Sequence, residues 1–322
     1  MSAVRVELGE TSRGLIGRQS SGRHAWLKIR RHWQLYLVIA VPMAFLIIFN
    51  YIPMVGVQIA FRDYNPIGGM WGSPWIGMQE FQFFFQSPYF WPLIENTLRI
   101  SLYALVVGTP TTIILALALN EVTNAAFKRA VQMVTFAPYF ISTVVLIGMA
   151  FILLDPETGV VGLLAGLFHV PAPNLLADPN AFPSLYVWSG VWQETGYGAV
   201  IYLAALANVN LELYEAARVD GASRWQKILH IDLQAIKPTV IILTILSVGN
   251  LMGIGFEKVY LLQNPLNLST SEVIATYVYK NGLLDANFSF AAAVGLFNSV
   301  INFVLIIIVN LVARRVSETS LF

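Results

Sequence analysis

The chain has 322 residues, 57% of them hydrophobic and 11% charged, with a net charge of +1. A soluble domain carries about 25% charged residues, so this composition points to lipid, and the near-neutral balance argues for no nucleic-acid partner. The lack of cysteine excludes disulfides, cysteine nucleophiles and thiolate metal sites, and His24, His32, His169 and His230 share no metal-ligand spacing.

Residues 1–33 form a basic amino-terminal segment with Arg5, Arg13, Arg18, Arg23, Lys28, Arg30 and Arg31. Its first 22 residues, rich in Ser, Gly and Arg, are expected to be disordered. The stretch His24–Tyr36 interleaves Trp26, Ile29 and Trp33 with basic residues. That pattern suits either an inner-leaflet helix or a simple positive-inside anchor. The apolar stretch that follows is too long for a secretory signal, and no cleavage-site pattern follows it.

A helix needs about 20 apolar residues to cross the hydrocarbon core. Gln34–Ala60, Ile100–Asn120, Ala130–Leu154, Thr239–Phe256 and Phe288–Ala313 carry no charge, and Phe182–Asn210 carries one, Glu194. The expectation is an all-α membrane protein with six transmembrane helices. The first spans 34–61, an outer loop covers 62–95, a core of five spans covers 96–313 with a polar loop at 209–237, and a tail covers 314–322. Pro42, Pro53, Pro110 and Pro138 are expected to kink their helices. The loop Asp63–Glu95 is crowded with Trp and Phe, which reads as an interfacial aromatic belt or as a platform for a substrate-delivery protein.

Lys and Arg set the orientation. Lys128, Arg129, Arg218, Arg224, Lys227, Lys237, Arg314 and Arg315 fall on the same side as the amino-terminal seven, whereas Arg62 and Lys280 fall opposite and Arg99 and Lys258 flank spans. Both termini and the loop 209–237 are therefore expected in the cytoplasm. No phosphate-binding loop, nucleophile elbow or zinc-protease motif occurs, which disfavours a membrane enzyme. A self-contained transporter or channel remains open, although only Glu194 lies clearly inside a span.

The stretch LYEAARVDGASRWQKILHIDLQAIKP, Leu213–Pro238, is the polar exception. Asn208 or Asn210 can cap a helix from Leu211. Asp220 and Gly221 stop it, with glycine supplying a left-handed residue. Ser223 and Gln226 form a capping box for a second helix, with Trp225, Ile228 and Leu229 on one face. Lys237–Pro238 is expected to close that helix and open the fifth span. A helical linker, an interfacial hairpin and a docking element for a cytoplasmic partner all fit.

Along the expected fourth span, Trp188 and Trp192 share a face, and Gln193, Glu194 and Tyr197 adjoin them. Glu194 is read either as a pathway residue or as a carboxylate holding helices together, the latter if the cargo is anionic. Tyr139 with Phe140, and Asn250, are further pathway candidates, and Gly249 and Gly253 form a GxxxG.

The stretch Glu215, Ala216, Ala217, three residues, Gly221, nine residues, Ile231, one residue, Leu233 resembles the EAA loop of permease subunits of type I ATP-binding-cassette importers, with Gln234 where that motif has proline. FNYIPMVGVQIAFRDYNP (Phe49–Pro66), NTLRIS (Asn96–Ser101), APYFIS (Ala137–Ser142) and FEKVYLLQNP (Phe256–Pro265) resemble the carbohydrate-uptake branch. They are most similar to permeases for polysaccharide-derived oligosaccharides of alginate or pectin type. The resemblance implies that Glu215, Ala216, Ala217, Asp220, Gly221, Ile231 and Leu233 couple the chain to an ATPase through cytoplasmic coupling helices. It also implies a bacterial cytoplasmic (inner) membrane location, a second homologous permease, two ATPase subunits that bind ATP and Mg, and an extracytoplasmic solute-binding protein that delivers a carbohydrate. This chain itself would hold no cofactor. Importers of non-sugar solutes share the loop and remain an alternative.

Overall fold

A computed structural model describes residues 31–316. Among them the regular secondary structure is helical, apart from one isolated antiparallel bridge between Arg62 and Trp75. The amino-terminal stretch 1–30, including most of the basic residues assigned there, and the tail beyond 316 lie outside the described residues. Trp33–Tyr36, where the sequence left an inner-leaflet helix and a simple anchor both open, belong to the first long helix.

The chain divides into two compact units at Val57/Gln58. Helix α1, Trp33–Phe61, runs through a π turn at Ile47–Tyr51 into a 3-10 segment at Ile52–Phe61. Pro53 sits in that 3-10 segment, whereas Pro42 stays inside the regular part.

The second unit contains α2 (Gln79–Gln86), α3 (Phe90–Glu121), α4 (Ala125–Phe136), α5 (Thr143–Leu154), α6 (Val160–Leu167) and α7 (Phe182–Ala207). It continues with α8 (Leu211–Val219), α9 (Arg224–Gly249), α10 (Phe256–Leu262), α11 (Ile274–Tyr279) and α12 (Phe288–Val316). Among the described residues, α1, α3, α9 and α12 are long and apolar enough to cross a membrane. The α4–α5 pair makes a fifth if it is one bent span. Helix α7 has 26 residues but falls outside that set, because its centre reads Trp192-Gln193-Glu194-Thr195.

Three expected features differ. The third span is broken: after a 3-10 turn at Ala137–Phe140 containing Pro138, the chain bends by 101° before α5. Ser142 restarts the helix by accepting the Val145 N–H at 3.4 Å. Pro138 has no N–H to give and Ser142 is a preferred cap, so the break is locally encoded. Pro238 does not separate two helices. Helix α9 runs from Arg224 through a π turn at Ile228–Asp232 to Gly249 with Pro238 inside it. The N–H that Pro238 lacks would point at the carbonyl of Gln234, an exposed residue, so the freed carbonyl is not sealed inside the core, and the helix continues in spite of the proline. Gln234 therefore lies mid-helix, and the motif's missing proline corresponds to no helix end. The GxxxG does not form a helical stripe either. Helix α9 stops at Gly249, and Gly253 lies in the irregular segment before α10.

Helices α3 and α7 make the most extensive pairing. Phe84, Leu93, Met252, Ile274, Phe290 and Val294 form one core, with Phe84 edge-on to Phe90, Phe290 and Phe297. Part of the aromatic segment 62–95 is thus packed core, while Trp71, Trp75 and Trp91 stay exposed. A second core joins Ile100, Ile147, Phe182 and Val259, and a third joins Ala116, Ala199, Tyr202 and Ile236. These cores hold α3, α7 and α9 around a gap.

Candidate functional site

That gap is a cavity of about 650 Å³, open to the surface, walled by α3, α7, the end of α9 and the irregular segment leading to α10. Its face of α7 is a stripe at Tyr186, Gly190, Glu194 and Gly198, the i, i+4 spacing of one helical side. The glycines leave room that side chains would fill: a Cβ on Gly190 would stand 3.0 Å from the Lys258 Nζ, and one on Gly198 3.1 Å from the Thr112 Cγ2.

Of the sequence-predicted pathway residues, Glu194 and Asn250 line this cavity. Asn250 caps the end of α9, so the interruption expected there is where the helix stops. The others flank the cavity. Trp188 is exposed and donates its indole N–H to the Tyr103 hydroxyl at 3.1 Å, and Trp192 is exposed as well. Gln193 donates its side-chain amide to the Ile141 carbonyl at 2.8 Å, which supplies a partner to backbone at the break between α4 and α5. Tyr139 stacks on Tyr197 with ring centres 3.9 Å apart and planes 9° from parallel. Gln193, Tyr139 and Tyr197 thus brace the break.

Lys258 and Tyr186 were missed by sequence reasoning. The Lys258 Nζ donates to the Tyr186 carbonyl at 2.8 Å and stands 4.7 Å from the centre of its ring. With Glu194 it supplies the charged lining of the cavity. The available signal was a Glu257–Lys258 pair just after an apolar stretch, which reads in topology terms only as flanking charge.

The second constellation is the surface segment from α8 into α9. Asn210 accepts the Glu212 N–H at 3.0 Å and starts α8. Glu212 in the first turn and Arg218 in the last complement the helix dipole. Gly221 adopts φ +73°. The Ala222 N–H then reaches the Ala217 carbonyl at 2.8 Å, and the Gly221 N–H reaches Arg218 at 3.2 Å. These two bonds form a Schellman end. Ser223 and Gln226 cap α9 reciprocally at 2.7 and 3.3 Å. Glu215 and Ala216 are exposed, as are Asp220, Gly221 and Leu233. Ala217, Asp220, Gly221 and Ile231 line a crease of about 300 Å³ between the end of α8 and the start of α9. Tyr214 donates its hydroxyl to the Asp232 carboxylate. Burial first, and then that bond, push its phenol up to about 12.

A membrane-embedded helical chain with a partly polar cavity, joined by one unbroken helix to a capped helix pair on its surface, is a transport component. The chain matches, over residues 108–318, the family described as binding-protein-dependent transport system inner membrane component, and it belongs to that family. It is a permease, not an enzyme. It is 40% identical over 299 residues to Protein LplB of Bacillus subtilis, covering 92% of this chain and 94% of that one. It is 37% identical over 308 residues to the polygalacturonan/rhamnogalacturonan transport system permease protein YteP of the same organism, covering 96% of each. A solved chain of a bacterial transporter involved in the import of the acidic polysaccharide alginate superposes with a TM-score of 0.84 at 38% identity, covering 91% of this chain and 99% of that one. A chain of a bacterial alginate transporter in complex with an alginate pentasaccharide-bound periplasmic protein superposes with a TM-score of 0.85 at 37% identity, covering 92% and 99%.

Proposed function

We propose that the chain is the permease of an ATP-driven, binding-protein-dependent importer of an oligosaccharide, and that the cargo is acidic, of the pectin- or alginate-derived class. It sits in the bacterial inner membrane with six spans, α7 being the fourth, and with both termini in the cytoplasm. It pairs with a second, related permease and two ATPase subunits, and a periplasmic binding protein delivers the sugar. The observation that carries the reading is the continuity of α9, from the EAA-type segment at Arg224 to the cavity wall at Asn250. Glu215, Ala216, Ala217, Asp220, Gly221, Ile231 and Leu233 seat the ATPase. When the ATPases close on ATP, the helix pair moves, and α9 carries that movement to the cavity as a rigid lever. Transport is then a shift between two states with different nucleotide affinity. The cargo class rests on what the two polysaccharide-uptake relatives are described as handling.

For an acidic oligosaccharide, Lys258 is the cation to which a sugar carboxylate turns and Tyr186 supplies an aromatic face. Glu194 then sets the wall rather than gripping cargo, since like charges repel. Uptake is measured in proteoliposomes holding the assembled complex and its binding protein, with labelled oligogalacturonate or alginate pentasaccharide against neutral arabino-oligosaccharide. Wild type takes up an acidic oligomer in preference. Glu194→Gln retains that uptake, whereas Lys258→Met lowers it about ten-fold, the equivalent of losing 1.4 kcal/mol of charge pairing. Selective uptake of the neutral oligomer would sink the acidic assignment, and loss of acidic uptake in Glu194→Gln with normal assembly would make Glu194 a cargo contact.

A further inference from the structure

Helix α8 carries the Glu-Ala-Ala face, yet none of its residues is buried. Packing alone therefore fixes its direction poorly, and a specific bond must do so. Tyr214 provides it. Its ring is half-buried on the inner side of α8, and its hydroxyl bonds to Oδ1 of Asp232 across 18 residues of sequence. Asp232 is 0% exposed in the π turn of α9, and its Oδ2 has no hydrogen-bond partner among the described residues. The side chain of Asn120, at the end of α3, acts on the same hydroxyl. One phenol thus joins α8 to α9 beside the end of α3. A fully buried carboxylate with a single partner is costly, and π turns concentrate at functional positions. Neither is needed merely to link two spans.

We infer that Tyr214 and Asp232 are positioning residues for the transport step. Their bond sets the angle between α8 and α9, so that displacement of the docking face turns α9 as a unit rather than being absorbed at the Gly221 turn. The inference rests on the coupling role proposed for this segment. Ser247, on the cavity wall, lies 15 residues beyond Asp232, about 22 Å along the helix at 1.5 Å per residue. It is the natural reporter.

The chain contains no cysteine, so Ser247→Cys gives a single labelling site on this chain, whose labelling is read from its own band after the subunits are separated. In the full complex, the rate at which a soluble maleimide labels Ser247→Cys is measured with and without ATP and vanadate, alongside ATP hydrolysis. ATP changes the rate at least about five-fold in the parent carrying Ser247→Cys alone. Adding Tyr214→Phe reduces that change to less than about two-fold while hydrolysis continues. Asp232→Asn, which keeps an oxygen acceptor for the phenol, retains the parent response. Tyr214→Phe with Asp232→Leu removes both polar partners, which relieves the orphaned carboxylate, and recovers thermal stability without recovering the response. An unaltered response in Tyr214→Phe, or its return in the double variant, overturns the inference. Gly221→Asp in the same reporter separates the two levels. If its response is also intact, the coupling reading itself fails; if it alone is lost, the Tyr214–Asp232 role fails and the coupling reading stands.

Discussion

Gly221→Asp is expected to cut ATP-driven uptake at least about ten-fold, corresponding to 1.4 kcal/mol or more lost from the seating of the ATPase, while the chain still folds and inserts. The structure separates these two outcomes. Gly221 sits at φ +73°, where a side chain costs about 1–2 kcal/mol, but aspartate is among the residues that visit this region with least penalty. A Cβ at Gly221 meets nothing within 4 Å, so sterics add no cost inside the chain. The Schellman bonds from Ala222 and Gly221 use backbone atoms and survive the substitution. The new carboxylate instead projects into open space at the rim of the crease lined by Ala217, Asp220 and Ile231. It doubles the negative charge of that turn next to the face proposed to meet the ATPase, and a desolvated like-charge contact is expensive. The check is uptake in cells together with copurification of the ATPase. Normal uptake at a normal level of inserted protein would remove the turn from the docking surface.

The surface helix pair was legible from sequence because its determinants are local. Asn210, Gly221, Ser223 and Gln226 each act on backbone groups within a few residues, and each lies in the structure as the cap it was expected to be. The limit of the second helix was not legible, because Pro238 reads as a stop wherever its surroundings are ignored. The carbonyl it frees belongs to exposed Gln234 and is not left sealed in the core, and tertiary packing carries the helix past it. The cavity shows the same division. Glu194 stands out in any apolar stretch, and Asn250 marks a helix end. Gln193, Tyr139 and Tyr197 share their sequence neighbourhood and chemistry with a sugar path, but the 101° bend between α4 and α5 recruits them to brace backbone. Lys258 enters the cavity because the chain breaks after Gly249 and returns through α10. No periodicity in the sequence announces that return.

Gly196→Ala is the substitution for which helix propensity and tertiary packing predict opposite signs, and packing is expected to win. Inside a helix, alanine is favoured over glycine by about 1 kcal/mol, so a slack contact would make the variant more stable. Gly196, however, is buried in the middle of α7. Its ideal Cβ would lie 2.0 Å from the Thr135 carbonyl oxygen and 2.4 Å from the carbonyl carbon. Those are backbone atoms of α4 and cannot rotate away. A small residue is what lets two membrane helices approach this closely, and overpacking at such a point costs about 1–3 kcal/mol or more. The contact also lies next to Tyr197 and Gln193, which brace the α4–α5 break. Separating α7 from α4 therefore loosens the stack and the Ile141 bond together. The expected result is a lower unfolding temperature in detergent and a several-fold lower yield of assembled complex. Gly148→Ala in α5, where a Cβ meets nothing within 4 Å, serves as the matched control and should be neutral or stabilising by up to about 1 kcal/mol. A Gly196→Ala protein as stable as that control would mean that α4 and α7 are not in backbone contact in the membrane. The bend would then have to be held by the Gln193 bond and the Tyr139–Tyr197 stack without that backbone contact.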